Sequence, residues 1–380
     1  MNELATDAFN RTRAILRRCA KPNGFYASCL PGGYEATWTR DSMLTALGAV
    51  LIDKEGFREP FWETLALLAR NQSPHGQIPN AVGTYNVERR SDVTYNTIDS
   101  NLWYLIGHYV YKRTYGSEMA DRHADHIARA MTWLEYQDPN EDGLLVQQPT
   151  MDWQDAFPHK YGRTISTQAL WYAVLMMYGK QAQAERIRRV VNGAQEEYLS
   201  LYDAKRGYYL PWIWKSHDGV REQGEWFDSF GNVMAIVTGL ADGQIAHSIA
   251  AHVRKKKIDK PYPLKAIFPA LKPGGKDWHP YFAQSDARAP YRYLNAGVWP
   301  FIGGLYVAAL VRMGEHAEAE AALDALAHAN KRGTEKEWEF NEWLDGRTGA
   351  PSGTPEQGWS AGAYIFAYES ARLRTVPFFL

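Results

Sequence analysis

The sequence predicts an all-α protein, an (α/α)6 barrel with its active site at the N-terminal ends of the inner helices. Three observations carry that prediction. Helical periodicity dominates the chain, and convincing alternating strands are few. The helical segments come in pairs that recur at intervals of about 60 residues, which means either a solenoid or a closed toroid. One member of each pair is preceded by a loop that mixes Trp or Tyr with polar residues, always at the same phase. A solenoid has no reason for such a phase, whereas a closed barrel brings six loops to one mouth.

In chain order the helical segments are 4–19, 40–53, 57–71, 97–114, 118–136, 165–179, 181–201, 229–240, 243–256, 295–313, 315–330 and 358–372. Those beginning near 40, 97, 165, 229, 295 and 358 are rich in Ala, Gly and apolar residues on every side, as a buried helix is. Segments 57–71, 118–136, 181–201 and 315–330 carry a polar face and belong outside. Thr39 before RDSML and Ser229 before FGNVMAIV read as start signals. YGSE (115–118) and MGEH (313–316) read as stops, where glycine lets the chain reverse.

The loops ahead of the six inner helices are EATWTRDS (35–42), SDVTYNTIDS (91–100), QPTMDWQDAF (148–157), GEWFDSFGN (224–232), YRYLNAGVWP (291–300) and TPEQGWSAG (354–362). No Pro/Gly/Ser linker or compositional break divides the chain, so residues 1–380 are expected to form one domain. Segments 203–228 and 257–294 are longer excursions, expected as lids at the mouth.

Hydrophobic residues make up 45% of the chain and charged ones 22%, as in an ordinary globular protein. A net charge of −1 leaves no basic footprint for nucleic acid. The one strong basic run, VRKKKIDK (253–260), reads as a solvated helix end. Only Cys19 and Cys29 are present, with no CxxC or Cys/His cluster, which suits a reducing compartment and no structural zinc. The N-terminal MNELATDAFNRTRAILRRCA is an amphipathic helix without a signal-peptide core, and no apolar run is long enough for a membrane span. The cytoplasm is the expected location. The 14 Trp and 23 Tyr stand out, many beside polar residues. Aromatic faces next to carboxylates suit sugar rings, which offer C–H faces and hydroxyls.

The mouth of such a barrel gathers Arg40, Asp41, Asp99, Asp152, Asp155, Glu225, Asp228 and Glu356, joined by Glu342 from EFNEWLDGRTG. In QPTMDWQDAF neither Asp152 nor Asp155 has a Lys or Arg beside it. Breaking a glycosidic bond by inversion needs one protonated carboxyl and one carboxylate base, roughly 6.5–9.5 Å apart so that a water fits between. Burial against an indole raises a carboxyl pKa. Asp152 beside Trp153 and Glu342 beside Trp343 therefore have a suitable local setting.

The motifs WTRDS, IPN (78–80), YNTIDSNLW and TQALWY resemble the catalytic domain of glycogen-debranching amylo-1,6-glucosidases. WFDSFGN, NAGVWPFIGG, FNEWLDGRTG and QGWSAG are similar to neutral/alkaline invertases, and processing α-glucosidases and trehalases share the first pattern. The resemblance runs from about residue 35 to 372 and implies inverting hydrolysis of an α-glucosidic bond with no cofactor; exo action on a small saccharide, with no metal, is the expected reading of the whole. Carried over by position, the resemblance implies Asp152 as general acid and Glu342 as general base. Arg40 and Asp41 would hold sugar hydroxyls, with Trp38, Trp103, Trp153 and Trp299 as walls. Asp99, Gln168, Asn295 and Gln357 would add hydrogen bonds, and Asn80, Trp226, Asp228 and Trp343 complete the expected substrate-binding set. The invertases carry an acidic–basic run after their acid where this chain reads WQDAFPHKYGR. That departure makes Asp155 a supporting or leaving-group contact and leaves sucrose one substrate among several. A short α-1,6 or α-1,4 glucoside, or a glucosylated or mannosylated small acid, fits the same composition.

Blander readings compete. Asp152 and Asp155 could be loop caps, Glu342 could cap the DGRTG turn, and Arg40–Asp41 could be an ordinary helix-start pair. A magnesium-binding D-x-x-D would need a second acidic motif, and none is present. His75, His159 and His279 lie in loops without ligand spacing. A sugar epimerase on the same barrel would use histidines where carboxylates stand, and a non-catalytic sugar-binding protein would keep only the aromatics. A phosphorolytic enzyme would need a phosphate pocket, for which no His/Ser/Arg cluster stands out. A small saccharide or glycoside is the expected partner.

Overall fold

The computed structural model describes residues 3–31, 34–83, 91–193, 200–217 and 220–379. Among them the helices are α1 (Glu3–Cys19), α2 (Thr39–Ile52), α3 (Lys54–Arg70), α4 (Asp99–Tyr115), α5 (Glu118–Arg122), α6 (Ala124–Glu135) and α7 (Ile165–Met177). They continue as α8 (Gln181–Val191), α9 (Ser229–Thr238), α10 (Gly243–Lys256), α11 (Pro300–Arg312), α12 (His316–Lys331) and α13 (Gly358–Leu373).

Helices α2, α4, α7, α9, α11 and α13 pack side by side in that order, and α13 closes the ring against α2. Helices α1, α3, α6, α8 and α12 lie against the outside, and α10 completes the outer layer beside α11 and α12. This is the (α/α)6 barrel. The compositional distinction has its physical counterpart in burial. Every residue of α9 is buried, as is every residue of α2 from Thr39 to Val50. In α8 only Ala184, Ile187, Val190 and Val191 are buried, a single stripe facing the ring. The ring is tight because small residues meet across it. A Cβ on Gly48 of α2 would stand 2.2 Å from the carbonyl oxygen of Gly362 in α13.

Three helices differ from expectation. Segment 118–136 breaks at His123 into α5 and α6. Segment 181–201 ends at Val191, and its residues 194–199 lie outside the described ones. Segment 295–313 begins only at Pro300, because the residues before it are tied to other loops. Val298 exchanges hydrogen bonds with Leu344, and Trp299 N–H donates to Leu264 O. Thr39 and Ser229 are first helical residues rather than caps; Asp228 caps α9 by accepting from Gly231 N–H.

Most strands are short, and three of the pairings share one role. Thr37–Trp38 pairs with Ala81–Val82, Arg163–Thr164 with Trp212–His217, and Phe227–Asp228 with Ile267–Phe268. Each first member immediately precedes an inner helix, so these ladders pin the mouth loops in place. Of the expected lids, 203–228 carries the hairpin Trp212–His217/Val220–Gln223, with 218–219 outside the described residues. Segment 257–294 carries two 3-10 turns, and its Phe282 packs on Phe157. No helix among the described residues is long and apolar enough to cross a membrane.

Candidate active site

At the mouth, the inner-helix N-termini surround a cavity of about 470 Å³, counted with the solvent at its opening. Trp38, Trp299 and Gln357 line it, and each is the N-cap residue of an inner helix (α2, α11 and α13) with no side-chain cap. The positive ends of three helix dipoles therefore point at the cavity. Its aromatic wall is braced from behind. Trp153 meets Trp299 and Phe301 edge-on at 5.5 Å, and Phe301 stacks on Trp359 at 4.4 Å. Arg40 Nε, Trp153 Nε1, Gln357 Nε2 and Trp359 Nε1 are buried without a protein hydrogen-bond partner. A buried donor left without a partner is costly, and a hydroxyl-rich ligand would satisfy these four.

Three carboxyls share the cavity: Asp41, Asp155 and Glu342. Arg40 links the second of them to the barrel. Its Nη1 pairs with Asp99 Oδ2 at 2.9 Å, and its Nη2 lies 3.7 Å from Asp155 Oδ2. Glu342 sits just ahead of the Trp343–Leu344/Pro351–Ser352 hairpin. Tyr34 Oη donates to its Oε1 at 3.3 Å and Thr354 N–H to its Oε2 at 3.1 Å. Gly353, with φ 72°, makes that close approach possible; a Cβ there would stand 2.6 Å from Oε2. The DGRTG turn is capped by Asp345, which accepts from the N–H groups of Arg347 and Thr348, so Glu342 does not serve that turn.

All three carboxyls are pushed toward neutrality. Burial, the largest cause, raises Glu342 to about 7 against its two donors, with the Asp155 charge adding to the rise. Burial also raises Asp155 to about 6 against Arg40, helped by Asp99 and Asp152. Its side chain keeps 27% of its surface open to the cavity, so the neighbouring negative charges matter beside burial. Asp41 rises to about 7, again chiefly by burial, although Arg40 is adjacent. Carboxyls that hold and release protons near pH 7 are what acid–base chemistry needs.

Asp152, expected as the proton donor, stands apart from these three carboxyls. It is 1% exposed and does not line the cavity. Its Oδ2 pairs with Lys160 Nζ at 2.7 Å and accepts from Ser166 Oγ at 2.7 Å, while Oδ1 accepts from Gln154 N–H. Burial pushes its pKa up, but Lys160 and these donors outweigh burial and leave it lowered. Paired in this way Asp152 favours its ionised form, and the cavity's own carboxyls are better placed to give a proton to a ligand. Asp152 instead fastens the loop from inside and turns Asp155 toward the cavity. The partner was eight residues away, outside the segment in which no Lys or Arg was visible. Lys160 also pairs with Asp228 at 3.0 Å, so the expected substrate contact Asp228 is a buried helix cap in the same triad.

Of the other expected residues, Trp38, Arg40, Asp41, Trp153, Asp155, Trp299, Glu342 and Gln357 come together at the cavity. The rest do not line it. Asp99 is buried behind Arg40, and Trp103 lies in the core. Gln168 and Asn295 clamp the backbones of Leu145 and Leu271 through paired hydrogen bonds. Asn80 joins Thr39 N–H to the Thr94 strand through its backbone. Trp226 packs in the core, and Trp343 packs against Tyr293. Glu225 pairs with Arg206, and Glu356 with Arg18 and Lys336. Tyr34, Tyr293 and Trp359 line the cavity without having been singled out. Two of them lay inside the aromatic–polar loops, so loop membership was the available signal. Tyr293 holds a left-handed backbone, φ 42°, the kind of strain that collects at sites.

A sequence family described as Alkaline and neutral invertase matches residues 177–372, a stretch that includes Trp299, Glu342 and Gln357. Neutral/alkaline invertase 1, mitochondrial, from Oryza sativa subsp. japonica is 30% identical over 166 residues, 42% of this chain and 24% of that protein. Alkaline/neutral invertase C, mitochondrial, from Arabidopsis thaliana is 27% identical over 166 residues, 43% and 24% of the two. The match thus spans about a quarter of the length of these relatives. Others in the set are named for the chloroplast and the cytosol. Among solved structures, the GH63 mannosylglycerate hydrolase from Thermus thermophilus, in complex with Tris and D-glycerate, has the same fold. Its TM-score is 0.70 over 94% of this chain and 99% of that one, at 17% identity.

Proposed function

The chain belongs to the alkaline and neutral invertase family of glycoside hydrolases, and we propose that it removes a terminal α-linked sugar from a small glycoside by inversion. The observation that carries this reading is the presence of Asp155 and Glu342 in one aromatic-walled cavity, each held near neutrality, with the Asp155 charge raising Glu342. The tryptophan floor suits a sugar at a chain end, hence exo action. Asp155 is the more open of the two, where a leaving group would depart; Glu342 is 6% exposed and fixed by two donors.

Glu342 then takes a proton from water, and the water oxygen attacks the anomeric carbon. The glycosidic C–O bond breaks on the opposite face, and the departing oxygen takes the proton of Asp155. Arg40 steadies Asp155, and Asp41 with the free indole donors binds hydroxyls. Sucrose and short α-1,6 or α-1,4 glucosides are the first substrates to test, followed by glycosides of small acids such as D-glycerate. A cytoplasmic location remains part of the proposal. Among the described residues the cavity presents carboxyls rather than histidines, which favours hydrolysis over an epimerase.

A screen of these glycosides, with NMR following the first-released sugar, is expected to show the β-anomer before mutarotation. Release of the α-anomer first contradicts inversion, and an unchanged glycoside throughout points to binding alone. The pH dependence follows from the same carboxyls. Activity needs one group ionised and one protonated, so it falls as pH drops through the lower value and as it climbs through the upper. With Asp155 at about 6 and Glu342 at about 7, kcat/KM should follow a bell with limbs near those values. In the empty cavity the shared proton favours Glu342, whereas turnover draws on the arrangement with the proton on Asp155. Both give one bell, so variants must assign the roles. A rate that stays flat to about pH 9 contradicts the pairing.

A further inference from the structure

The chain's two cysteines meet directly behind the cavity. Cys19 ends α1 and is fully buried, while Cys29 is partly exposed. Cys19 Sγ and Cys29 N–H both donate to the carbonyl oxygen of Glu356, at 3.8 and 3.3 Å. Each thiol also biases the other's ionisation, Cys29 pushing Cys19 up and Cys19 holding Cys29 down. Cys29 Sγ donates to Glu356 Oε2 at 2.7 Å, and Arg18 reaches both, Nε to Cys29 Sγ at 3.5 Å and Nη2 to Glu356 Oε2 at 2.7 Å. Glu356 is buried, holds a left-handed backbone (φ 56°), and directly precedes the cavity-lining Gln357. Ser28, next to Cys29, bridges to Gln357, and Cys19 Sγ lies 3.4 Å from where a Cβ on Gly358 would stand. The thiols and the back wall of the cavity are thus one packed unit.

We propose that Cys19 and Cys29 form a reversible dithiol–disulfide site, oxidised by low-molecular-weight disulfides of the glutathione type, whose closure weakens the anchor behind Gln357. Cys29 is the entry point because it is the more open of the two and has a guanidinium beside it. The neighbouring Cys19 thiol and Arg18 favour its ionisation, against burial and Glu356. The Cys29 thiolate attacks one sulfur of oxidised glutathione, and glutathione thiolate leaves with a proton. Cys19 then loses its proton and attacks the Cys29 sulfur, expelling the second glutathione. Two protein thiols are oxidised, and one disulfide is reduced to two thiols. Closure takes Cys29 Sγ away from Glu356 Oε2 and pulls on the Ser28–Gln357 bridge.

The test uses the folded full chain, oxidised glutathione and intact-mass measurement. Wild type is expected to lose two hydrogens and keep no adduct. Cys19→Ser should stop at one glutathione adduct, and Cys29→Ser should not react. The hydrolytic rate of the oxidised wild type should fall about fivefold, the scale of a modest coupling, and return with dithiothreitol. Only this rate readout rests on the hydrolase reading; if that reading fails there is no rate before oxidation, and the masses still decide the site. A stable adduct on wild-type Cys29 without an internal disulfide, or reaction only after denaturation, overturns the site. A disulfide that leaves the rate unchanged overturns its link to the cavity.

Discussion

Glu342→Gln is expected to fold as wild type does and to turn over its substrate about two to four orders of magnitude more slowly, the range for a lost general base. Glutamine keeps the size of the side chain, and its carbonyl oxygen can still accept from Thr354 N–H or Tyr34 Oη. What it cannot do is take a proton from water. Added azide, a nucleophile that needs no deprotonation, should restore part of the rate and give a glycosyl azide of inverted configuration. A merely structural Glu342 would give neither the azide product nor any rescue. Asp155→Asn should suffer a loss of similar size on an ordinary glycoside, but azide should not repair it. A near-wild-type rate in either variant sinks that residue's role.

Lys160→Met should be the most damaging single change to stability, about 3–5 kcal/mol, because it removes the cation from two buried carboxylates. Lys160 is fully buried and lies within 3.0 Å of both Asp152 and Asp228, neither of which has solvent to fall back on. Loss of a whole buried ion cluster is far less costly than loss of one partner. The triple variant Asp152→Asn/Lys160→Met/Asp228→Asn should therefore recover much of the deficit. The pH trend checks the cause. Asp152 has a lowered pKa, so its pairing stabilises the fold above the ordinary carboxylate range and is lost as pH falls through the folded value. The gap between Lys160→Met and wild type should accordingly narrow toward acid pH. Urea unfolding midpoints at neutral and acid pH measure this; a deficit under about 1 kcal/mol at neutral pH contradicts the triad's importance.

The ring of inner helices was legible because complete burial changes composition. A segment such as α9, SFGNVMAIVT, has no polar face to spare, whereas α8 keeps four buried positions on one side. The two-residue ladders ahead of the inner helices were not legible, since two residues carry no period. They decide much of the site's shape. Within QPTMDWQDAF the residue types announced a site, yet the choice between Asp152 and Asp155 depended on where the loop turns. That turn is set by Lys160 and Ser166, which reach Asp152 from beyond the loop. Asn295 and Gln168 were misjudged for a related reason. A buried amide that clamps a backbone looks in sequence like one that binds a sugar. Trp359 and Tyr293 show the converse, since the aromatic–polar loops held more wall residues than the motifs named.

The central claim, that Asp155 and not Asp152 donates the proton, is tested most directly by leaving-group dependence. The glycosyl fluoride of the sugar identified in the screen needs no proton to depart, whereas the alcohol of a natural glycoside does. Asp155→Asn is expected to hydrolyse the fluoride at a substantial fraction of the wild-type rate while losing about two orders of magnitude or more on the glycoside. Asp152→Asn should change both rates by the same factor. If instead Asp152→Asn separates the two substrates and Asp155→Asn does not, the donor is Asp152 and this account of the cavity is wrong.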